Sequence, residues 1–273
     1  MNIYKLPLEE DFGENKPYLA AYIQDEMPME PAAMPAVLVC PGGGYTHLSP
    51  REAEPIAMAF AARGFQTFVL YYSLKPKMWP QPLMDAAKAM MMIREHAKEW
   101  RVDPDKIAMG GFSAGGHLSA ALSTFWNDPL LAEAGIDCEK AKPNAAILCY
   151  AVVQAGVDAN NPGTFAARLL GEEPEKNPWL KAAYIPQYVG EQNPPTFLWH
   201  TATDQTVPVA NCLRMTEALA AHKVPVELHV FPQGPHGLAL ATERTCNGYD
   251  NMIVPEAAQW VDLCSDWLKR MFK

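Results

Sequence analysis

Short, uninterrupted apolar runs alternate along this chain with longer segments in which apolar residues recur every three or four positions. The short runs are typical of strands covered on both faces, and the longer spacing is typical of amphipathic helices. The predicted strands are Tyr18–Ile23, Ala36–Cys40, Gln66–Tyr72, Ile107–Met109, Ala145–Tyr150, Thr196–His200 and Val226–Phe231. The predicted helices are Glu52–Arg63, Leu83–Trp100, Ala114–Trp126, Val209–His222 and Pro255–Phe272. This alternation predicts an α/β fold in which a mostly parallel central sheet carries helices on both faces.

A glycine-rich pentapeptide joins one predicted strand to the helix that follows it. Its sequence, Gly111-Phe112-Ser113-Ala114-Gly115, fits the pattern G-x-S-x-G. On a sharp strand-to-helix turn the serine hydroxyl projects from the sheet, and small neighbours are needed because the backbone is crowded there. The first amides of the helix also point towards any negative charge that forms beside the serine. The pentapeptide alone can occur by chance, but its position between a strand and a helix favours a nucleophilic serine.

A nucleophilic serine needs a base and an acid that orients the base. His236 is the best base, because it lies in a G-P-H-G turn just after a predicted strand. Asp204 is the best acid, because it lies in the loop after the preceding strand. Taken singly, a loop aspartate is typical of a turn or a helix cap, and a loop histidine is typical of a solvated residue. Together, the chain order Ser113, Asp204, His236 predicts a catalytic triad.

The other candidate residues fit these roles less well. Asp158 is the rival acid, but its chain position is less suitable. His117 lies one turn past Ser113 and is expected to pack or to form hydrogen bonds. His47 is close to a second glycine-rich segment and is a candidate substrate contact. The remaining histidines lie inside predicted strands or helices, and they are His96, His200, His222 and His229.

The second glycine-rich segment, Gly42-Gly43-Gly44, directly follows the predicted strand Ala36–Cys40. A flexible turn is one interpretation. The preceding strand favours an oxyanion hole instead, since glycine amides can approach a tetrahedral oxyanion without obstruction by a Cβ atom. The segment does not fit the dinucleotide fingerprint G-x-G-x-x-G, and the chain has no C-x-x-C or H-E-x-x-H pattern. We therefore expect neither a cofactor nor a bound metal.

Composition and charge narrow the expected partners and location. The 273 residues carry a formal net charge of −9 with no dense cluster of lysine and arginine, which argues against nucleic acid or an anionic membrane as a partner. No run approaches the ~20 apolar residues of a membrane span, and the first residues lack the pattern of a secretory signal. The six cysteines are scattered, which suits reduced thiols. We expect a cytoplasmic protein, and the sequence leaves open whether it forms a homo-oligomer.

The alternation of strands and helices breaks over residues 151–193. Asparagine, glycine and proline are mixed there with aromatic residues, which favour packing over a disordered loop. These aromatic residues include Phe165, Trp179, Tyr184 and Tyr188. A length of 273 residues suits one large α/β domain. We therefore expect a single domain over residues 1–273, with residues 151–193 as an insertion over the active site.

Several motifs resemble those of a known family. The segments CPGGGY, FVLYYS, GGFSAGGHLSA, PPTFLWHTATDQTVP and PHGLAL are similar to α/β-hydrolase serine esterases related to acetyl xylan esterases, in the hormone-sensitive-lipase-like and BD-FAE-like group. The resemblance extends over residues 36–270 and is more specific for fold and triad than for substrate. It implies an α/β-hydrolase fold with Ser113 as nucleophile, His236 as base and Asp204 as its orienting acid. It also implies oxyanion donors from the amides of Gly43, Gly44 and Ala114.

One departure from the family pattern bears on the substrate. Lipase-type members carry His-Gly-Gly-Gly where this chain has proline before its three glycines, and no long apolar lid is evident. Both features favour the carbohydrate-ester branch. The resemblance thus implies an esterase that hydrolyses short-chain acyl esters, above all acetyl esters, of sugars such as xylo-oligosaccharides through an acyl-enzyme. The candidates for stacking on a sugar ring are Tyr45, Trp179, Tyr184 and Tyr188.

Other functions remain open at this point. The nearest is another carboxylesterase, such as a feruloyl or aryl esterase, or a small amide hydrolase or peptidase on the same fold. The chain is too short for the propeller domain that prolyl-oligopeptidase-type peptidases usually carry. A catalytically silent binding module is the alternative from a different class, since fold does not fix function. The intact order of the triad argues against it.

Overall fold

Eight strands form one sheet in the described part of the chain. The computed structural model describes residues 1–9, 13, 16–29, 31–77, 79–154, 164–171 and 173–273. The strands are β1 (Asn2–Pro7), β2 (Tyr18–Ile23), β3 (Met34–Cys40), β4 (Gln66–Tyr71), β5 (Val102–Phe112), β6 (Ala145–Cys149), β7 (Thr196–Thr201) and β8 (Val226–Phe231). Their order in the sheet is β1-β2-β4-β3-β5-β6-β7-β8. β2 is antiparallel to β1 and to β4, and the other neighbouring pairs are parallel.

Helices cover both faces of this sheet. They are α1 (Glu54–Ala61), α2 (Gln81–Glu95), α3 (Ala114–Phe125), α4 (Pro129–Glu133), α5 (Cys138–Ala141), α6 (Thr164–Leu170), α7 (Ala210–Ala221), α8 (Pro255–Ala258) and α9 (Trp260–Met271). Successive residues of a strand point to opposite faces, so Leu38 packs in the core with Met90 of α2. Its neighbour Val37 packs in the opposite core with Phe60 of α1 and Trp260 of α9. The predicted α/β fold with a mostly parallel sheet is confirmed.

The parallel strands end at one edge of the sheet, and the candidate residues follow them there. The glycine-rich segment 42–44 follows β3, and Ser113 follows β5. Asp204 follows β7, and His236 follows β8. In open α/β sheets ligands bind at this edge, beyond the carboxyl ends of the strands. The topology therefore brings together residues that are far apart in the chain.

The structure differs from the sequence prediction at the amino terminus. Strand β1 was not predicted, because four of its six residues are exposed and leave no pattern of burial. It exists because its backbone pairs with β2, with Ile3 opposite Tyr22. β5 is also longer than predicted, extending over Val102–Phe112. Pairing with neighbouring strands, which the local pattern does not contain, fixes both boundaries.

Several helix boundaries also differ from prediction. The segment predicted as one helix from residue 52 begins with a 3₁₀ turn, Pro50–Glu52, and α1 starts only at Glu54. The long predicted helix from Leu83 ends at Glu95 rather than at residue 100. The carboxyl-terminal helix is divided at Gln259 into α8 and α9. Apolar periodicity continues through these short breaks, so the pattern alone does not locate them.

Two further expectations concern the environment of the chain. All six cysteines are unpaired thiols, and four of them, Cys40, Cys149, Cys212 and Cys264, are buried within strands or helices. Within the ranges that the structure describes, no helix is both long enough and apolar enough to cross a membrane.

Candidate active site

Ser113 lies on a strained turn between β5 and α3. Its backbone has φ 52° and ψ −115°, a conformation that costs free energy for a residue with a side chain. Its amide donates a 3.0 Å hydrogen bond to the carbonyl oxygen of Cys149 at the end of β6. The backbone around it is tightly packed, since a Cβ atom at Gly115 would lie only 2.0 Å from the carbonyl oxygen of Cys40. This crowding explains why the pattern G-x-S-x-G has a glycine two residues after the serine.

His236 lies between Ser113 and Asp204 in a chain of hydrogen bonds. Its Nε2 atom is 2.9 Å from Oγ of Ser113. Its Nδ1 atom is 2.6 Å from Oδ2 of Asp204. The ring of Tyr150 packs edge-on against the imidazole, with centroids 5.0 Å apart. The arrangement can take a proton from the serine hydroxyl onto Nε2 while the carboxylate holds Nδ1–H.

The Asp204 carboxylate is buried and accepts hydrogen bonds at both oxygens. Oδ1 accepts from the amides of Thr206 and Val207, both at 2.9 Å. Burial alone would raise the pKa of this carboxyl, but hydrogen bonds from His200, His236 and the Val207 amide hold the pKa well below its ordinary value. Asp204 is therefore a carboxylate at neutral pH, and it can stabilise positive charge on His236.

His200 is a residue of this site that the sequence did not single out. It is fully buried in β7, with Nε2 2.8 Å from the Val207 carbonyl oxygen and 3.4 Å from Oδ2 of Asp204. The short contact with a carbonyl oxygen means that Nε2 carries the proton, which also faces the carboxylate. Its position inside an apolar strand is typical of a core histidine, so only its spacing of four residues from Asp204 could have indicated this contact.

The glycine-rich segment after β3 passes directly beside the serine. A Cβ atom at Gly42 would lie 3.1 Å from Cβ of Ser113. Gly43 has φ +132°, and a Cβ there would lie 2.0 Å from the carbonyl oxygen of His47. Among the hydrogen bonds of the described residues, none uses the amides of Gly43, Gly44 or Ala114. An oxyanion hole requires amides that are not already used by other acceptors, and these three satisfy that condition.

Comparison with known proteins identifies the family. The model of the BD-FAE family matches residues 26–219, well over half of the chain. The chain belongs to the BD-FAE family. Its structure is similar to that of an acetyl ester-xyloside bifunctional hydrolase from Caldicellulosiruptor lactoaceticus, with a TM-score of 0.80, 34% identity and coverage of 98% of this chain and 96% of that one.

Two relatives are longer than this BD-FAE chain. An endo-1,4-beta-xylanase B of Butyrivibrio fibrisolvens is 32% identical over 239 residues, which are 85% of this chain and 36% of the relative. An acetylxylan esterase of Xylanibacter ruminicola is 27% identical over 230 residues, which are 83% of this chain and 45% of the relative. The chain thus spans less than half of the length of either relative.

The structure corrects two of the four predicted sugar-stacking residues in this BD-FAE member. Tyr45 is 7% exposed and Trp179 is 3% exposed, so neither presents a ring face to a ligand. Trp179 packs instead against Phe125 at the end of α3, with ring centroids 6.2 Å apart. Tyr184 is half-buried, and Tyr188 is 45% exposed. Aromatic composition alone could not separate a ring that contacts a ligand from one that fills the core.

His117 links the glycine-rich segment to the predicted insertion. Its Nδ1 atom is 2.6 Å from the Tyr45 hydroxyl, and its Nε2 atom is 2.8 Å from the Ala182 carbonyl oxygen. Burial lowers the pKa of His117 to about 4, although the Ala182 contact acts in the opposite direction. The imidazole is therefore neutral at pH 7, with Nδ1 accepting from the tyrosine and Nε2–H donating to the carbonyl. It packs and forms hydrogen bonds, as its sequence position predicted.

Three further candidates were named from the sequence, Asp158, Phe165 and His47. Asp158 and the side chain of Phe165 lie outside the described residues. His47 is exposed, and its Nδ1 atom is 3.2 Å from Oγ1 of its neighbour Thr46. In the part of the chain that the structure describes, no three side chains of histidine, cysteine, aspartate or glutamate are grouped so that they could hold a metal ion.

Proposed function

We propose that this chain is a serine esterase that removes short acyl groups, above all acetyl, from the hydroxyls of sugars such as xylo-oligosaccharides. The observation that carries the proposal is the hydrogen-bonded chain from Ser113 through His236 to Asp204. The names of the matched proteins support the substrate class, since they include an acetylxylan esterase and an acetyl ester-xyloside hydrolase. The unpaired thiols favour a reducing location such as the cytoplasm.

In the first half of the reaction, Nε2 of His236 takes the proton of the Ser113 hydroxyl as Oγ attacks the acyl carbonyl carbon. The carbonyl oxygen becomes an oxyanion, which accepts hydrogen bonds from the amides of Gly43, Gly44 and Ala114. The amide of Ala114 opens α3, so the helix dipole adds positive potential at the same point. His236 then gives its proton to the sugar oxygen, which leaves as an alcohol.

In the second half, a water molecule attacks the acyl group carried by Ser113. His236 takes a proton from the water and later returns one to the serine oxygen, and the free carboxylic acid departs. Asp204 holds the imidazole in one orientation and balances the charge of the imidazolium in both halves.

The test combines one variant with one family of substrates. Purified protein should release acetate from acetylated xylo-oligosaccharides and should be labelled by a fluorophosphonate probe. Ser113→Ala should lose both properties, with a fall in kcat of about 10⁶-fold, while its unfolding curve stays close to that of the parent. If Ser113→Ala keeps a tenth of the activity, the serine assignment is wrong. If acetylated sugars are untouched while aryl or amide substrates turn over, only the serine chemistry survives.

A further inference from the structure

A buried glutamate connects the glycine-rich segment to the tyrosine that packs on His236. Glu52 is 3% exposed and lies in the 3₁₀ turn before α1. Its Oε2 atom accepts a 2.9 Å hydrogen bond from the amide of Gly42. Its Oε1 atom accepts a 2.7 Å hydrogen bond from the hydroxyl of Tyr150. Both oxygens are thus used by groups that follow two different strands of the sheet.

Tyr150 continues this connection to the loop that carries His236. Its hydroxyl oxygen accepts a 2.9 Å hydrogen bond from the amide of Ala239. Burial and the negative charge of Glu52 raise the pKa of this phenol well above its ordinary value, so it remains a donor. A continuous path therefore leads from the Gly42 amide through Glu52 and Tyr150 to the backbone three residues after His236.

The side chain of Arg51, next to Glu52 in the chain, also binds the loop that carries His236. Nη1 of Arg51 donates 2.8 Å hydrogen bonds to the carbonyl oxygens of Gly237 and Thr245. The short turn Pro50–Glu52 thus contacts the glycine-rich segment with one side chain and the His236 loop with the other. The two loops that must act on one tetrahedral intermediate share this turn.

The residue type at position 52 supports a role beyond packing. A buried carboxylate is costly, and Glu52 forms no ion pair within the described residues. A carboxylate accepts hydrogen bonds at both oxygens, whereas a glutamine amide has only one acceptor oxygen. The isosteric amide would therefore leave either the Gly42 amide or the Tyr150 hydroxyl without its acceptor.

We propose that Glu52 and Tyr150 are positioning residues that set the oxyanion loop and His236 in register around Ser113. The inference rests on the proposed nucleophilic role of Ser113. Glu52 acts through the Gly42 backbone, and Tyr150 acts through the imidazole ring on which it packs and through the Ala239 amide. Loss of the connection should slow the acylation chemistry more than it weakens substrate binding.

The experiment uses Glu52→Gln and Tyr150→Phe, with Asp85→Asn as a matched control. Asp85 is also fully buried and accepts from one backbone amide, that of Ser73, and from one side chain, that of Gln81. Among the hydrogen bonds of the described residues, none joins Asp85 to either of the two loops. The kcat and KM for p-nitrophenyl acetate are measured per active site, with sites counted by fluorophosphonate labelling, alongside the thermal midpoint of each protein.

We expect Glu52→Gln and Tyr150→Phe each to lower kcat per labelled site at least about tenfold with KM changed less than about threefold. The double variant should lose less than the product of the two single effects, because both act through one path. Asp85→Asn should keep kcat within about twofold of the parent, even if its thermal midpoint falls as far as those of Glu52→Gln and Tyr150→Phe. Tyr150→Phe removes only the hydroxyl, so it decides the question if Glu52→Gln does not fold.

Three other outcomes separate this inference from the proposed function or overturn it. If Ser113→Ala is inactive and unlabelled but Tyr150→Phe and folded Glu52→Gln keep the parent kcat, the positioning role is wrong and the esterase proposal stands. If the control loses as much kcat as the two variants, the effect is one of general stability, and the positioning role is again wrong. If Ser113→Ala remains active, both proposals fall.

Discussion

Oγ of Ser113 lies 2.9 Å from Nε2 of His236, although 123 residues separate them in the chain. The serine is held by a strained turn after β5, and the histidine by a loop after β8. This hydrogen bond aligns the base with the hydroxyl proton that it would accept as the serine attacks. The next contact along the path, from His236 to Asp204, is 2.6 Å long and gives the first prediction.

Asp204→Asn should lower kcat by about 10⁴-fold with little change in KM, because an amide can stabilise the wrong imidazole tautomer and no longer balances an imidazolium. The measurement is steady-state hydrolysis of p-nitrophenyl acetate at pH 7.5, with circular dichroism to verify the fold. A loss of less than tenfold would exclude Asp204 as the orienting acid.

Gly43→Ala and Gly44→Ala form a matched pair within the proposed oxyanion hole. Both positions have positive φ, but a Cβ at Gly43 would lie 2.0 Å from a backbone oxygen, whereas a Cβ at Gly44 meets nothing within 4 Å. Gly44→Ala should therefore cost roughly 1–2 kcal/mol of conformational free energy. Gly43→Ala must displace the loop itself.

We expect Gly43→Ala to lose kcat/KM more than about a hundredfold, which is the size of losing one oxyanion donor, and Gly44→Ala less than tenfold. Both values are corrected for the fraction of sites labelled by a fluorophosphonate. Equal losses in the two variants would show that backbone strain, rather than the displaced loop, determines the effect.

His117 should make stability sensitive to mild acid. The pKa in the folded protein is lowered to about 4, below the ~6.5 of an unfolded histidine, so the unfolded chain binds the extra proton first as pH falls. The contribution of the neutral His117 to the free energy of unfolding is therefore fully present above pH ~6.5 and is lost as pH falls towards 4. From these two pKa values, the free energy of unfolding should be about 2 kcal/mol lower at pH 5 than at neutral pH.

Urea unfolding at pH 7.5 and pH 5.0 measures this difference. His117→Gln should be less stable than the parent at pH 7.5, with a smaller fall between the two pH values. The exposed His222, at the carboxyl-terminal end of α7, supplies the control, since His222→Gln should keep the parent's pH dependence. A parental slope in His117→Gln would show that other groups cause the acid sensitivity.

Acyl chain length should limit turnover. Beside the glycine-rich segment, Tyr45 packs against Trp79 and His117, with ring centroids 5.9 Å and 5.8 Å apart. We expect this aromatic cluster to leave too little room for a long acyl chain. We expect kcat/KM to fall at least about tenfold from acetyl to octanoyl p-nitrophenyl esters, which corresponds to about 1.4 kcal/mol. Equal rates along the series would contradict a short-acyl site.

The candidate site was largely predictable from sequence because its chemistry is carried by local motifs. Ser113 is marked by its glycine neighbours, and Asp204 and His236 by their positions just after apolar runs. Burial imposes a period on strands and helices that the order of apolar and polar residues along the chain records directly, so the α/β architecture followed as well. The boundaries of β1 and α1 did not follow. Most residues of β1 are exposed, so its pairing leaves no apolar period, and the one-residue break before α1 does not interrupt the period.

By itself, the sequence determined the order of the elements, the mostly parallel sheet and the three residues expected to form the triad. Only the tertiary structure decided that Glu52 joins the Gly42 amide to Tyr150, and that Trp179 fills the core instead of facing a ligand. The physical reason is the separation along the chain of the residues that interact. A period or a motif depends on neighbours in the chain, whereas the partners of a buried polar or aromatic side chain are set by which strands come to lie side by side.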